Sequence, residues 1–121
     1  MSKTAIIVDD SPLFRQMLSM TLADAKFQVL EANNGKEALD LLKVNRVNII
    51  ITDLNMPVMD GITFVKAARA VTQLKSVPIL MLTTESQAEA RQQGKAAGAT
   101  GWIVKPFKPA QLLQVVSDLL P

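Results

Sequence analysis

Five polar residues stand at the ends of short apolar runs, and their types together suit phosphoryl chemistry. Asp9 and Asp10 follow the first run, Asp53 the third, Thr83 the fourth and Lys105 the fifth. Three carboxylates that converge repel one another, so a cation is needed to keep all of them ionised. The chain has no histidine and no cysteine, which leaves oxygen ligands suited to a hard cation such as Mg²⁺. A carboxylate beside a metal, an ammonium and a hydroxyl can attack phosphorus and form an acyl phosphate.

Each of these residues, taken singly, also has an ordinary structural interpretation. Asp9 and Asp10 could cap the helix that follows them, and Asp53 could form a turn after its strand. Thr83 could be the N-cap of the next helix, and Lys105 could simply be solvated. The phosphoryl interpretation is therefore favoured by the coincidence of all five at strand ends, and not by any one of them.

Apolar runs and segments of helical periodicity alternate along the whole chain. This alternation predicts a doubly wound α/β fold, a five-stranded parallel sheet with helices on both faces. In such a sheet ligands bind outside the carboxyl ends of the strands, where the polar residues stand. The second strand alternates in polarity, as strands near a sheet edge do. The predicted strands are 5–8, 27–31, 47–52, 78–82 and 99–104.

Several residues mark where helices begin and end. Ser11 is placed as an N-cap with Pro12 at the first helical position, and Gly98 is placed as a C-cap. The fourth helix, predicted over 85–97, contains alanines and an interior glycine, Gly94, instead of large apolar residues. We expect it to be the least firmly held helix, because it can bury little apolar surface. The last helix carries a Leu and Val stripe and should be well anchored.

Length and composition bound the class of protein. A chain of 121 residues with 49% apolar residues suits one domain with a sizeable core. The net charge is +2 and the basic residues are scattered, so no nucleic-acid partner is expected. No stretch of about 18 apolar residues occurs, so no membrane span is expected. The N-terminus lacks the features of a signal peptide, and we expect a cytoplasmic protein.

Four motifs give the chain a family resemblance. They are VDDS at 8–11, DLNMPVMDG at 53–61, MLTTE at 81–85 and GATGWIVKPF at 98–107. In this order and at these separations, the sequence resembles the receiver domain of bacterial response regulators, particularly the small chemotaxis regulators of the CheY type. The resemblance implies a (βα)5 flavodoxin-like fold with strand order 2-1-3-4-5. It also implies one receiver domain over 1–121 with no output domain.

The resemblance assigns roles to the acidic residues and to the two positions that follow the strand ends. Asp53 matches the phosphoacceptor, and Asp10 matches a direct ligand of Mg²⁺. Asp9 matches the acid that holds metal-bound water, and the backbone carbonyl of Asn55 matches the third protein ligand. Asn55 and Glu85 match the positions that tune the lifetime of the phosphoryl group by shaping access for water.

The resemblance also assigns the moving parts of the site. Thr83 matches the hydroxyl that moves towards the phosphate, and Lys105 matches the lysine that pairs with it. The bond from Lys105 to Pro106 matches one that is cis in the family. Trp102 matches the switch aromatic, where the family usually has Tyr or Phe. Indole is bulkier than a phenol ring and carries one N–H donor.

The function that the resemblance implies is a signalling switch and not an enzyme. A histidine kinase, of the chemotaxis type, would phosphorylate Asp53 in this two-component system. The phosphorylated form would then bind a target protein through the face built from the fourth helix, the fifth strand and the fifth helix. A phosphatase is a further possible partner.

Three alternatives stay open at this point. A phospho-relay carrier that passes the group to another histidine domain is hardly distinguished by the residues. A metal-dependent phosphohydrolase of the haloacid-dehalogenase group would carry a second Asp two residues after the nucleophile, where this chain has Asn55. A nucleotide-binding protein would need a Gly-rich loop after the first strand, where residues 9–12 read DDSP.

Overall fold

The computed structural model describes residues 2–120, so Met1 and Pro121 of the predicted domain 1–121 lie outside the described residues. Five parallel strands form one sheet in the order β2-β1-β3-β4-β5, which confirms the predicted fold class and strand order. The strands are β1 Thr4–Val8, β2 Gln28–Ala32, β3 Ile49–Thr52, β4 Ile79–Thr83 and β5 Gly101–Val104. The helices are α1 Pro12–Asp24, α2 Gly35–Leu42, α3 Gly61–Arg69, α4 Ala88–Ala97 and α5 Pro109–Leu119, with a short 3-10 helix over Thr72–Leu74.

Burial along each strand follows its place in the sheet. All residues of β3 and β4 are buried, as are all but the first of β1, because helices cover both faces of these central strands. The second strand is an edge strand, as predicted, and it exposes Gln28 and Glu31. Continuous apolar runs therefore mark the centre of the sheet, and mixed polarity marks its edge.

The sheet separates two apolar layers. Helices α1 and α5 pack on one face, and α2, α3 and α4 contribute to the layer on the other. Within residues 2–120 no helix is both long enough and apolar enough to cross a membrane. Buried helix residues in the first layer are Leu18, Leu22, Leu112 and Val116; in the second they are Ala38, Phe64, Val65, Ala68 and Ala97.

The predicted helix ends at Ser11 and Gly98 are confirmed. The Ser11 hydroxyl accepts a hydrogen bond from the Phe14 N–H at 3.2 Å, and Pro12 is the first residue of α1. Gly98 ends α4 with a left-handed backbone, φ 119°, which an L side chain rarely adopts. Its N–H donates to the carbonyl of Gly94 at 3.2 Å.

The start of α4 differs from the prediction. The helix begins at Ala88 instead of residue 85, and Gln87 is its N-cap, without a side-chain cap. The suggestion that Thr83 caps this helix is wrong, because Thr83 is the buried last residue of β4. Residues 84–87 are held outside the helix by local bonds. The Glu85 N–H donates to the Thr83 hydroxyl at 3.3 Å, and the Gln87 N–H donates to the Glu85 carboxylate at 3.0 Å.

The fifth strand also begins later than the predicted 99–104. The Ala99 N–H donates to the Gly94 carbonyl at 2.9 Å, so Ala99 still belongs to the end of α4. The Thr100 hydroxyl accepts from the Ile79 N–H at 3.0 Å, and the ladder of β5 starts at Gly101. The boundaries of the other four strands lie within one or two residues of the predicted ones.

Arg69, the last residue of α3, joins three parts of the chain. Its guanidinium donates to the carbonyls of Leu74 at 2.7 Å, Val77 at 2.6 Å and Gly98 at 3.0 Å, and to the Thr100 hydroxyl at 3.3 Å. Burial lowers the pKa of Arg69 from its ordinary value, and the group stays protonated at neutral pH. The planar fork of donors thus fixes the C-terminal end of α4 to the end of α3.

Candidate functional site

Three carboxylates meet at the carboxyl edge of the sheet. Strands β1 and β3 are neighbours, and the Asp53 N–H donates to the Val8 carbonyl at 2.9 Å, so the residues that follow the two strands lie side by side. One ligand oxygen from each of Asp9, Asp10 and Asp53 lies within 4.8 Å of the others. The side chain of Asp9 is 1% exposed and that of Asp53 12% exposed, whereas Asp10 is open to solvent.

Lys105 bridges two of these carboxylates. Its Nζ lies 2.6 Å from Oδ2 of Asp9 and 3.2 Å from Oδ2 of Asp53. The ammonium also lies 4.0 Å from the centroid of the Phe14 ring, which packs edge-on against the Phe107 ring at 5.5 Å. Three carboxylates and one ammonium leave an excess of two negative charges. The site therefore has room, electrostatically, for a divalent cation.

Backbone groups orient the carboxylates of Asp9 and Asp53. Oδ1 of Asp9 accepts from the Ser11 N–H at 2.9 Å, and Oδ1 of Asp53 accepts from the Leu54 N–H at 2.7 Å. The Asp9 carbonyl accepts from Nη1 of Arg15 at 2.5 Å. Each oxygen of Asp53 thus has one donor, and lone pairs remain for a metal or for attack on phosphorus.

The loop between β3 and α3 is packed closely onto Asp53. A side chain at Gly61 would collide with the Asp53 carbonyl oxygen, and the Gly61 N–H donates to the Leu54 carbonyl at 2.7 Å. Val58 has a left-handed backbone, φ 69°, inside a turn that the Met59 N–H closes onto the Pro57 carbonyl at 2.7 Å. A β-branched residue is strained in this region, so the loop that begins at Asp53 holds a strained backbone.

Thr83 and Trp102 are connected through the backbone of Glu85. The Thr83 hydroxyl accepts from the Glu85 N–H at 3.3 Å, and the Glu85 carbonyl accepts from Nε1 of Trp102 at 3.0 Å. The fifth strand also approaches Thr83, because the Lys105 N–H donates to the Thr83 carbonyl at 2.8 Å. The peptide bond between Lys105 and Pro106 is cis.

The structure thus brings Asp9, Asp10, Asp53 and Lys105 together, as the strand-end pattern predicts. Thr83 lies at the end of the adjacent strand. Among the described residues, the side chains of Asn55, Glu85 and Trp102 make no hydrogen bond to this carboxylate cluster. Their assigned roles stay predictions.

Sequence reasoning missed two contacts of the site, both made by α1. The contact of Phe14 with the Lys105 ammonium joins residues far apart in the chain, so helical periodicity does not indicate it. Arg15 reaches the Asp9 carbonyl and the Asn33 side chain, the latter at 2.6 Å. A basic residue one turn into the helix that follows Asp9 is the available sequence signal for such a contact.

Comparisons with known proteins agree with this geometry. The response regulator receiver domain family matches residues 5–117. The chemotaxis protein CheY4 of Vibrio cholerae is 51% identical, with a TM-score of 0.96 over 99% of this chain and 100% of that one. The receiver domain of a signal transduction histidine kinase from Syntrophus aciditrophicus is 31% identical, with a TM-score of 0.91 over 98% of this chain and 90% of that one.

The curated relatives are longer proteins. The transcriptional regulatory protein SrrA of Staphylococcus aureus is 39% identical over 99% of this chain, which spans about half the length of that relative, 48%. Receiver domains of this family are signalling domains and not conventional enzymes. From its strand order, its strand-end residues and its similarity over nearly its whole length, the chain belongs to the response regulator receiver domain family.

Proposed function

We propose that the chain is a switch that accepts a phosphoryl group on Asp53 from a histidine kinase and then binds a target protein. The observation that supports this most directly is the Lys105 ammonium, held between Asp9 and Asp53 within a cluster of three carboxylates. Lys105 contacts both Asp9 and Asp53, and each oxygen of the two carboxylates has one donor, but the Asp53 side chain is 12% exposed and can be reached by a phosphoryl donor. Asp9, by contrast, is almost wholly buried.

Asp10, Asp53 and the Asn55 carbonyl would hold Mg²⁺ directly, with Asp9 holding a metal-bound water. The donor set fits, because it consists of carboxylate and carbonyl oxygens and carries two uncompensated negative charges. Asp10 is exposed and has no hydrogen-bond or ion-pair partner among residues 2–120, so its charge is available for a cation. When bound, Mg²⁺ would neutralise charge on the phosphoryl oxygens.

The transfer itself would run on the side chains at the strand ends. An oxygen of Asp53 forms a bond to phosphorus as the bond from phosphorus to the donor's histidine nitrogen breaks, and the nitrogen keeps that electron pair. Lys105 is already 3.2 Å from Asp53 and would pair with a phosphoryl oxygen. The Thr83 hydroxyl would turn towards another. Asn55 and Glu85 would set how quickly water attacks the acyl phosphate.

Chemotaxis is the pathway that we propose. The support is the 51% identity to the Vibrio cholerae chemotaxis protein CheY4 over the full length of that chain. We accordingly expect a chemotaxis-type kinase as phosphoryl donor and a target that binds the face built from α4, β5 and α5. A phosphatase is a further expected partner. We place the protein in the cytoplasm, with one receiver domain over 1–121 and no nucleic acid bound by this domain.

A phospho-relay carrier is the second candidate, and the similarity to a receiver domain of a histidine kinase favours it. The two functions differ in where the phosphoryl group goes. A relay carrier passes it to a histidine domain faster than water removes it, whereas a switch loses it to water or a phosphatase. Mixing the phosphorylated protein with purified histidine phosphotransfer domains and following the label distinguishes the two.

Phosphorylation with acetyl phosphate and Mg²⁺ tests the proposed site. We expect one phosphoryl group per chain, mapped to Asp53 by mass spectrometry after borohydride trapping. Asp53→Asn should abolish the label, and Asp24→Asn, an exposed carboxylate at the end of α1, should leave it unchanged. Labelling of Asp53→Asn on another carboxylate would show that Asp53 is not the acceptor.

Isothermal titration with MgCl₂ tests the metal assignment separately. Asp10→Asn removes an exposed carboxylate that has no structural partner, so the fold should survive while Mg²⁺ affinity falls about tenfold or more. Asp40→Asn on α2 is the matched control, since Asp40 is exposed and remote in sequence from the cluster. Equal affinity of Asp10→Asn and the unmodified chain would contradict the assignment.

A further inference from the structure

The indole of Trp102 occupies a space that exists because residue 94 is glycine. A Cβ at position 94 would lie 2.6 Å from Cζ3 of Trp102, closer than real Cβ contacts come, and 3.3 Å from Cε3, which is also tight. The same point is 3.8 Å from Cδ1 of Ile62 on α3. The six-membered ring therefore sits against the bare backbone of α4, next to α3. This explains an interior glycine that otherwise only weakens the helix.

A hydrogen bond fixes the other end of the ring. Nε1 of Trp102 donates to the Glu85 carbonyl at 3.0 Å, in the segment that leads from β4 to α4. The backbone N–H of Glu85 donates to the Thr83 hydroxyl at 3.3 Å. Both backbone groups of Glu85 are thus used, one towards the indole and one towards the residue at the strand end. A phenylalanine at 102 could make no such bond.

Rotation of the Trp102 indole out of this position would destabilise the protein in two ways. The Glu85 carbonyl would lose its donor, and a space of ring size would open between Gly94 and Ile62. A smaller aromatic side chain at position 102, or one without an N–H, would lose less stabilisation on rotating out. Size, shape and hydrogen bonding all favour the inward position of this particular aromatic residue.

We propose that Gly94 and the Glu85 carbonyl form a fixed seat for the Trp102 indole, and that the ring stays there whether or not Asp53 is phosphorylated. This inference rests on the proposed function, since it concerns what moves when Asp53 is modified. Trp102 is then a fixed anchor of Glu85, and Gly94 is the positioning residue that admits it. The moving part is the bond between Thr83 and Glu85 together with the uncapped start of α4.

The consequence for switching is specific. When the Thr83 hydroxyl turns towards a phosphoryl group, the Glu85 N–H loses its acceptor, while the Glu85 carbonyl remains held by the indole. The segment can therefore rotate about Glu85 but cannot move away from β5. Trp102 limits the rearrangement in this way instead of following it with a rotation of its own.

Fluorescence tests the seat, because Trp102 is the one tryptophan of the chain. Emission maximum and acrylamide quenching are measured with and without beryllofluoride and Mg²⁺, and binding of beryllofluoride is followed independently by ¹⁹F NMR. We expect the quenching constant to be nearly unchanged on activation. Gly94→Ala should move the emission to longer wavelength and raise the quenching constant several-fold, whereas Gln92→Ala, exposed on the same helix, should not.

If Gly94→Ala alone folds poorly, a double-mutant cycle of melting temperatures between positions 94 and 102 provides a second test. Alanine is the better helix former, so Gly94→Ala should raise the melting temperature when Trp102 is Phe and lower it when Trp102 is present. An equal effect in both backgrounds would overturn the seat. A change in quenching on activation as large as that caused by Gly94→Ala would show that the ring moves and would overturn its fixed position. Absence of beryllofluoride binding would instead refute the proposed function, while the Gly94 cycle still tests the seat.

Discussion

Helices α4 and α5 have nearly the same length, 10 and 11 residues, but they are held to the sheet by different means. The last helix buries Leu112 and Val116, and each such side chain contributes about 1.5–3 kcal/mol by burial. The fourth helix buries Gly94 and Ala97, which offer little or no apolar side chain. The anchoring of α5 therefore comes from apolar area, and that of α4 must come from elsewhere.

Specific contacts replace apolar area at α4, and they are unevenly placed. Arg69 binds the carbonyl of Gly98 at the C-terminal end, and the Trp102 ring packs against Gly94 in the interior. The N-terminal end, at Gln87, has no side-chain cap. The helix next to the proposed phosphoryl site is thus fixed by a few contacts at its C-terminal end and in its interior, and least at its start. This arrangement allows local opening at the start without loss of the core.

The largest expected effect comes from removing a core side chain of α5. Leu112→Ala should destabilise the protein by about 2–5 kcal/mol, since it deletes a fully buried side chain. Ala97→Gly, at a buried position of α4, should cost about 1 kcal/mol. Urea unfolding of the two variants measures both. Equal losses in the free energy of unfolding would contradict the view that α5 is held by apolar burial and α4 is not.

Arg69→Met should have the next largest effect and should act on α4. It leaves the carbonyls of Gly98, Leu74 and Val77 without their charged donor, and we expect a loss of about 2–3 kcal/mol in the free energy of unfolding. Lys66→Met, exposed on the same helix α3, is the control and should be nearly neutral. A neutral Arg69→Met would mean that apolar contacts alone hold the end of α4.

Hydrogen exchange compares the two helices directly. In the unmodified protein the amides of α4 should open at a free-energy cost about 1–2 kcal/mol below that of α5, because fewer buried contacts resist the opening. On binding of beryllofluoride, protection should change most at the start of α4. Matching protection in both helices, unaltered by beryllofluoride, would contradict the view that α4 is the loosely held element.

The smallest effect is expected from supplying the missing cap. Gln87→Asp offers a side-chain acceptor to the free N–H groups at the start of α4 and should stabilise the protein by about 1 kcal/mol. Ser86→Asp adds the same charge one residue earlier, outside the cap position, and serves as control. If both variants gain equally, charge near the helix and not capping is responsible.

The layout of the fold could be predicted because it depends on patterns that each segment carries by itself. Buried central strands read as continuous apolar runs, and the parallel sheet then brings Asp9, Asp53 and Lys105 to one edge. The late start of α4 was not predicted, because residues 84–87 are held outside the helix partly by local bonds and partly by the bond from Trp102 to Glu85, which joins residues far apart in sequence.

Two single residues were beyond prediction for the same reason. In the sequence Gly94 is simply a residue that weakens a helix. Its packing role is seen only in the structure, where the Trp102 ring lies against it. Arg69 resembles a solvated charge at a helix end in the sequence, whereas in the structure it donates to carbonyls of two separate segments, Leu74 and Val77 in one and Gly98 in the other. Side-chain partners across the fold depend on tertiary packing, which local periodicity does not encode.

The bond from Arg69 to Gly98 makes the C-terminal end of α4 its best fixed end, about which the helix can tilt. A helix of 10 residues is about 15 Å long. A tilt of only about 4° about its C-terminal end therefore displaces its N-terminal end by about 1 Å. A displacement of that size is comparable to the reach of one rotating hydroxyl. We therefore expect that turning the Thr83 hydroxyl would tilt the exposed face of α4 relative to the sheet.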